Sequence, residues 1–115
     1  MSKADDPFAA LAHPTRREIL ERLRDHPGLS AGEIAAGFPS VSRPAISRHL
    51  AVLRRARLVR SRSRGRECHY ALDARPLADI YERYLRGFAP IWDESLGNLK
   101  RVVESGGPDT NFVVH

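Results

Sequence analysis

The chain carries a single cysteine, Cys68, in 115 residues. No intrachain disulfide can form, and the composition suits a reducing, cytoplasmic setting. No apolar run approaches the ~20 residues of a membrane span, and the opening "MSKADDP" lacks the apolar stretch of a secretory signal. There is no low-complexity tract and no repeat at a solenoid period. The sequence has no P-loop, no paired carboxylates at catalytic spacing and no cluster with metal-ligand spacing. With a length that makes one modest domain, these absences argue against an enzyme and against a bound cofactor or metal.

A more local absence says more. Residues 34–66 contain no acid, yet they hold nine arginines, at 43, 48, 54, 55, 57, 60, 62, 64 and 66. The net charge of +5 is therefore concentrated, because outside this block fourteen acids outnumber ten basic residues. A basic block can be nothing more than a solvated face, but it is also the electrostatic footprint of a polyanion-binding surface.

Patterning places that block on definite elements. "DPFAALA" (6–12) reads as a short helix with Phe8, Leu11 and Ala12 inward. His13-Pro14 interrupts it, and Pro14 suits the first turn of the next helix. "PTRREILERLRDH" aligns Ile19, Leu20 and Leu23 on one stripe, and Pro27-Gly28 ends it. Ser30 and Glu33 form an S-x-x-E capping box for a two-turn helix that Gly37 can stop. Ser42 is a good cap for a third helix, "RPAISRHLAVLRRA", in which Ile46, Leu50 and Leu53 share the buried side. Two turns, a short connection and a longer helix make helix-turn-helix spacing. From Leu58, "LVRSRS" and "RECHYAL" read as two strands joined by a tight turn at Arg64-Gly65, with Tyr70 and Leu72 toward the core. The expected fold class is mainly α with a small β-hairpin: a winged helix-turn-helix. Asp73 can cap a last helical region whose apolar stripe runs from Leu77 to Val103, kinked or split by Gly87 and Pro90.

With these pieces in order, "FAALAHPTRREIL", "LSAGEIA", "VSRPAISRHLAVLRRARLV" and "GRECHYAL", the sequence resembles the ArsR family of winged-helix transcriptional repressors over roughly residues 7–104. The resemblance implies a homodimer that binds double-stranded operator DNA, commonly releasing it when an effector arrives. It implies that the second helix of the motif enters the major groove, with Ser42, Arg43, Pro44, Ser47 and Arg48 at the bases, and that the wing, Arg62 to Arg66, follows the backbone. Two departures are visible. Metal-sensing members carry paired cysteines on the first helix of the motif or His and acidic ligands on the last; here "GEIAAGF" has no cysteine and residues 70–114 contain no histidine. The family also usually has glycine where Arg57 stands; a left-handed turn there costs ~1 kcal/mol with arginine.

Helix geometry bears on these assignments independently. With Ile46, Leu50 and Leu53 buried, residues 43, 47 and 54 lie opposite, flanked by 44, 48 and the small Ala51. Arginine there reads guanine bidentately. His49 falls on the buried flank, suited to a structural or phosphate-bonding role. A Ser47–His49 catalytic pair is misaligned, since i and i+2 point apart on a helix. Arg60, Arg62, Arg64 and Arg66 alternate with small residues and can follow a phosphate row. Cys68, in step with Tyr70 and Leu72, reads as a buried thiol. The stripe on the last helix, with Phe88, Ile91, Trp92, Leu96 and Leu99, exceeds what a domain this small covers alone, so it is expected to form the dimer interface with Phe8 and Leu11. The expected organisation is one winged-helix domain over 1–105, with the helix-turn-helix at 30–56, the wing at 58–72, dimerisation helices at 6–12 and 74–105, and a mobile tail at 106–115. Two rivals stay open: a metal- or thiol-responsive repressor with an atypical site, and a winged helix used for protein–protein contact. No membrane partner is expected, and the operator and any small-molecule effector are left unspecified.

Overall fold

Ile19 and Leu23, Ile34, and Ile46 and Leu53 come from three separate helices and Leu58 from the turn after the last, and all are essentially sealed from solvent in one core. A computed structural model describes residues 5–91. In order the elements are α1 (Pro7–Leu11), α2 (Pro14–Asp25), β1 (Leu29–Ser30), α3 (Ala31–Ala36), α4 (Arg43–Arg55), β2 (Val59–Arg64), β3 (Glu67–Leu72) and α5 (Arg75–Arg83), followed by a 3₁₀ turn at Leu85–Phe88. The chain divides into two compact units after Ala78.

Each helix of the first unit starts where a side chain takes up an otherwise unpartnered backbone amide. The Asp6 carboxylate accepts from the Phe8 amide at 3.0 Å, and His13 Nδ1 accepts from Thr15 at 3.1 Å. Pro7 and Pro14 occupy the first turns of these helices, where no N–H is missed. At α3 the box is reciprocal: Ser30 Oγ accepts from the Glu33 amide at 3.1 Å, and the Glu33 carboxylate accepts from the Ser30 amide at 2.9 Å. These bonds hold the Glu33 carboxyl below its ordinary pKa. Ser42 Oγ caps α4 through the Ala45 amide at 3.2 Å.

The C-terminus of α4 closes on a left-handed residue, Arg57, at φ 63°. The Arg57 amide donates to the Arg54 carbonyl at 3.0 Å, and the Leu58 amide donates to the Leu53 carbonyl at 2.9 Å. This is a Schellman closure, completed by the burial of Leu53 and Leu58 in the same core. The chain leaves it directly into β2. Gly37, by contrast, ends α3 with ordinary right-handed backbone at φ −78°. Its lack of a side chain matters for space: a Cβ would come within 2.7 Å of the Arg22 guanidinium carbon. That guanidinium lies 5.0 Å over the Phe38 ring and donates to the Gly37 carbonyl.

Several expectations need correction. The sheet has three strands in the order β1-β3-β2, all antiparallel, rather than two. Leu29 pairs with Tyr70 and Ser30 with His69, a strand too short to carry any alternation in sequence. The hairpin turn is Gly65-Arg66, one residue later than expected, because Arg64 pairs with Glu67. Gly65 takes φ 62° at the first loop position, where glycine has no Cβ penalty. In α1 it is Ala10 that is buried, while Phe8 is 48% exposed and Ala12 is also exposed. A single helical turn presents few positions inward, and its phase, set by the Asp6 cap, selects Ala10. Cys68 is half-buried, not sealed.

In the second unit, α5 ends at Arg83 and the path tightens to a 3₁₀ turn before helix resumes at 89–91. The break falls at Tyr84, ahead of Gly87. Pro90 has no amide to give the Arg86 carbonyl, and the Ala89 amide serves that carbonyl in a tighter bond. The last helical region is thus split within the described residues, as expected, though the break starts at Tyr84, ahead of Gly87 and Pro90; Trp92, Leu96, Leu99 and the expected mobile tail lie outside them.

Replacing Arg57 by glycine removes the left-handed penalty. Arg57→Gly is expected to raise unfolding stability by about 1 kcal/mol, read as a higher urea midpoint with an unchanged denaturant slope. A lower midpoint would contradict the account of this turn.

Candidate nucleic-acid interface

Helix α4 is amphipathic in a particular way. Ile46, Leu50 and Leu53 are buried, while Arg43, Pro44, Ser47, Arg48 and Ala51 are exposed on the other side. The buried stripe is what turns the polar set outward. Ser42, just ahead of it, is exposed but has its hydroxyl oxygen engaged by the Ala45 amide. His49 is half-buried, with its ring 4.4 Å from that of His13 and its Nδ1 3.3 Å from Arg16. Burial, followed by the positive charges of His13, Arg16 and Arg48, pushes the His49 pKa below its ordinary value.

The wing's register decides which side chains share a face. Directly paired residues lie on the same side of the sheet, so Arg60, Arg62 and Arg64 sit with Ala71, His69 and Glu67. The opposite face holds Val59, Ser61 and Ser63 with Leu72, Tyr70 and Cys68. Burial raises the Tyr70 hydroxyl pKa there, with Cys68 adding to it. Arg66 belongs to the turn and not to the strand alternation.

Two contacts fix the wing, and neither was legible as such in the sequence. Arg54 on α4 donates to Ser61 Oγ at 3.2 Å. Asp73 caps the Arg75 amide at 3.1 Å, as its position suggested, but its carboxylate also pairs with Arg75 at 2.6 Å and with Arg60 at 3.1 Å. Arg60 is thereby tied to the base of the wing. The Arg75 guanidinium and amide, with Arg60, hold the largely covered Asp73 carboxyl well below the usual carboxylate range.

Partnering sorts the arginines of the described residues into two sets. Arg24, Arg55, Arg60, Arg75, Arg83 and Arg86 pair with carboxylates. Arg16, Arg17 and Arg22 donate to backbone carbonyls, and Arg54 to Ser61. Arg43, Arg48, Arg57, Arg62, Arg64 and Arg66 are exposed and make no ion pair or hydrogen bond among the described residues. The unneutralised set lies on α4, on the turn that closes it and on the wing. An array of free forks of this kind binds phosphates and base edges. Among the described residues no three His, Cys, Asp or Glu side chains converge as metal ligands.

Residues 11–62 match a helix-turn-helix domain family. The chain is 42% identical over 106 residues to the HTH-type transcriptional regulator Rv2034 of Mycobacterium tuberculosis, covering 92% of this chain and 94% of the relative. It is 38% identical over 72 residues to the transcriptional repressor SdpR of Bacillus subtilis, covering 63% and 78%. A solved ArsR-like transcriptional regulator from Rhodococcus sp. RHA1 superposes with a TM-score of 0.63 at 39% identity, covering 85% of this chain and 87% of that one. The chain belongs to the ArsR family of winged-helix regulators. ArsR-family proteins are DNA-binding transcriptional regulators and not enzymes. No helix among the described residues is long and apolar enough to cross a membrane.

The Asp73 anchor has a defined pH signature. Its folded-state pKa is depressed, so its contribution is complete above the unfolded value near ~4 and is lost as pH falls below it. Asp73→Asn is expected to lower the urea midpoint at neutral pH, with the gap to the wild type narrowing below about pH 4. A gap that widens on acidification would contradict the anchor.

Proposed function

We propose that the protein is a sequence-specific repressor that binds a pseudo-palindromic operator as a homodimer. The carrying observation is the set of unneutralised arginines on α4 and the wing. In this reading Arg43, Ser47 and Arg48 approach base edges in the major groove. Ser42 and Pro44 sit at the helix start where it meets the backbone, and Arg62, Arg64 and Arg66 contact phosphates. His49 serves α4 from its buried flank. The similarity to SdpR, a transcriptional repressor, supports repression rather than activation.

Exposed apolar groups support the dimer: Phe8 at 48%, Phe88 at 41% and Ile91 at 61%, with Leu11 only half-buried. Trp92, Leu96 and Leu99 extend the same proposal by sequence alone. A two-fold arrangement sets recognition helices about 34–36 Å apart, one helical turn of DNA. The metal- or thiol-responsive reading has one half-buried thiol, Cys68, and no three converging ligand side chains among the described residues. A protein–protein module would leave duplex DNA unbound, which the salt titration below tests directly.

Binding to a selected duplex is expected to fall about 10³–10⁵-fold between roughly 50 and 200 mM salt, as six to ten phosphate contacts imply. Arg48→Ala should cost roughly 1–3 kcal/mol on that duplex and relax preference at one position, whereas Arg64→Ala should weaken all sequences alike and flatten the salt slope. A flat salt response sinks the DNA reading; exchanged behaviour of the two variants sinks the role assignment.

For the dimer, the double variant Phe88→Asp, Ile91→Asp is expected to sediment as a folded monomer with much weaker operator binding, because one half-site loses its tethered mate. Wild-type monomer at micromolar concentration would refute it.

A further inference from the structure

His13 and His49, thirty-six positions apart in the sequence, meet in the fold with ring centroids 4.4 Å apart. Each presents Nδ1 to a group that can only donate. The Thr15 backbone amide lies 3.1 Å from His13 Nδ1, and an Arg16 guanidinium nitrogen lies 3.3 Å from His49 Nδ1. Neither donor has a lone pair, so both bonds require an unprotonated Nδ1, and the proton of each neutral ring sits on Nε2. The same Arg16 guanidinium donates to the carbonyls of Ala10 at 2.7 Å and Ala9 at 3.3 Å, near the end of α1. One side chain of α2 thus ties the end of α1 to α4, one residue from Arg48.

We propose that Arg16 and the neutral His49 imidazole are positioning residues that lock α4 to the α1–α2 corner, and that protonation of His49 opens the lock and loosens operator binding. This rests on the DNA-binding reading above.

The groups around His49 make the lock sensitive to acid. His13 faces it from the junction of α1 and α2, Arg16 from α2 and Arg48 from α4 itself. The side chains of α1, Pro-Phe-Ala-Ala-Leu, are uncharged. No carboxylate pairs with His49 among the described residues. An imidazolium at His49 sets a donor against a donor and adds a positive charge beside a guanidinium in a half-buried place. Either the ring swings out or Arg16 releases it, and both outcomes free α4 from α1. The depressed His49 pKa agrees in sign: the folded chain takes up this proton less readily than the unfolded chain, so stability is complete above the unfolded value of about 6.5 and is lost as pH falls below it.

The direction of the effect on DNA is diagnostic. Protonating histidines adds positive charge, and simple attraction to phosphate would then strengthen binding in acid. An opening lock does the reverse for the specific complex. The Asp73 anchor stays intact in this range, since its carboxyl titrates well below it.

The test uses two labelled duplexes of about 30 base pairs, one recovered by the protein from random-sequence DNA near pH 8 and one unselected, with anisotropy read near pH 8 and near pH 5.5 at fixed ionic strength. Affinity for the selected duplex should fall about tenfold in acid, the size of one lost hydrogen bond to a charged group, while the unselected duplex holds or gains. His49→Gln keeps an oxygen that accepts from Arg16 and does not titrate, so its ratio between the two pH values should shrink toward one, whatever its absolute affinity. Nitrogen-15 spectra of the wild-type imidazoles should find His49 protonated at Nε2 and bare at Nδ1 near pH 8. An acid loss equal in wild type and His49→Gln, or a proton found on Nδ1, overturns the inference while leaving the DNA reading standing. The spectra need no variant, so they decide even if His49→Gln fails to fold. Failure to recover or bind any duplex near pH 8 overturns the DNA reading, and this inference with it.

Discussion

The closure of α4 on Leu53 and Leu58, across a left-handed Arg57, is the constraint on which the rest of the surface depends. The helix and the wing are consecutive in the chain, and this turn sets the direction in which one leaves the other. Burial of both leucines keeps the turn from unwinding. The Arg54–Ser61 bond then reinforces it from outside, and the Asp73 carboxylate pins the base of β2 through Arg60. A recognition surface built from a helix and a hairpin needs this kind of rigidity, because sites held by packed elements are positioned more closely than sites carried on loops.

Electrostatics is organised by subtraction. The chain has many arginines, but most of those described are committed to carboxylates or to backbone carbonyls. What is left over is concentrated on α4 and the wing, where the sequence supplies no acid between Glu33 and Glu67. Exposed ion pairs contribute little stability individually, so their larger consequence here is to leave the uncommitted charge in one region. Glu67 at the edge of the wing approaches His69 at 3.2 Å and does not engage the wing arginines.

Buried helix faces and polar termini were legible from one-dimensional spacing. Ile19, Leu20 and Leu23 recur at the period of a helix and are buried; Ile46, Leu50 and Leu53 likewise. Ser30, Glu33 and Ser42 form their caps because capping is local, reaching only two or three residues along the chain. The strained Arg57 was readable only as a departure from a family that prefers glycine. The third strand was not readable, because a two-residue strand has no periodicity and exists only through its pairing with Tyr70 and His69. The inward residue of α1 was missed for a related reason: in one turn, phase depends on the cap and the neighbouring helix.

By itself, the sequence determined the winged-helix order of elements, the buried side of α4 and the concentration of arginine in residues 34–66. Those properties follow from periodicity, capping chemistry and charge counting, all of which act over short separations. Only the tertiary structure decided which arginines are free. Arg60 and Arg62 look equivalent along the strand, yet one meets Asp73, thirteen residues on, and the other meets no acid among the described residues. It also decided that His49, on the buried flank of α4, meets Arg16 and His13 there. Such choices turn on pairings between distant segments, which composition does not encode and which the packed core alone brings within bonding distance.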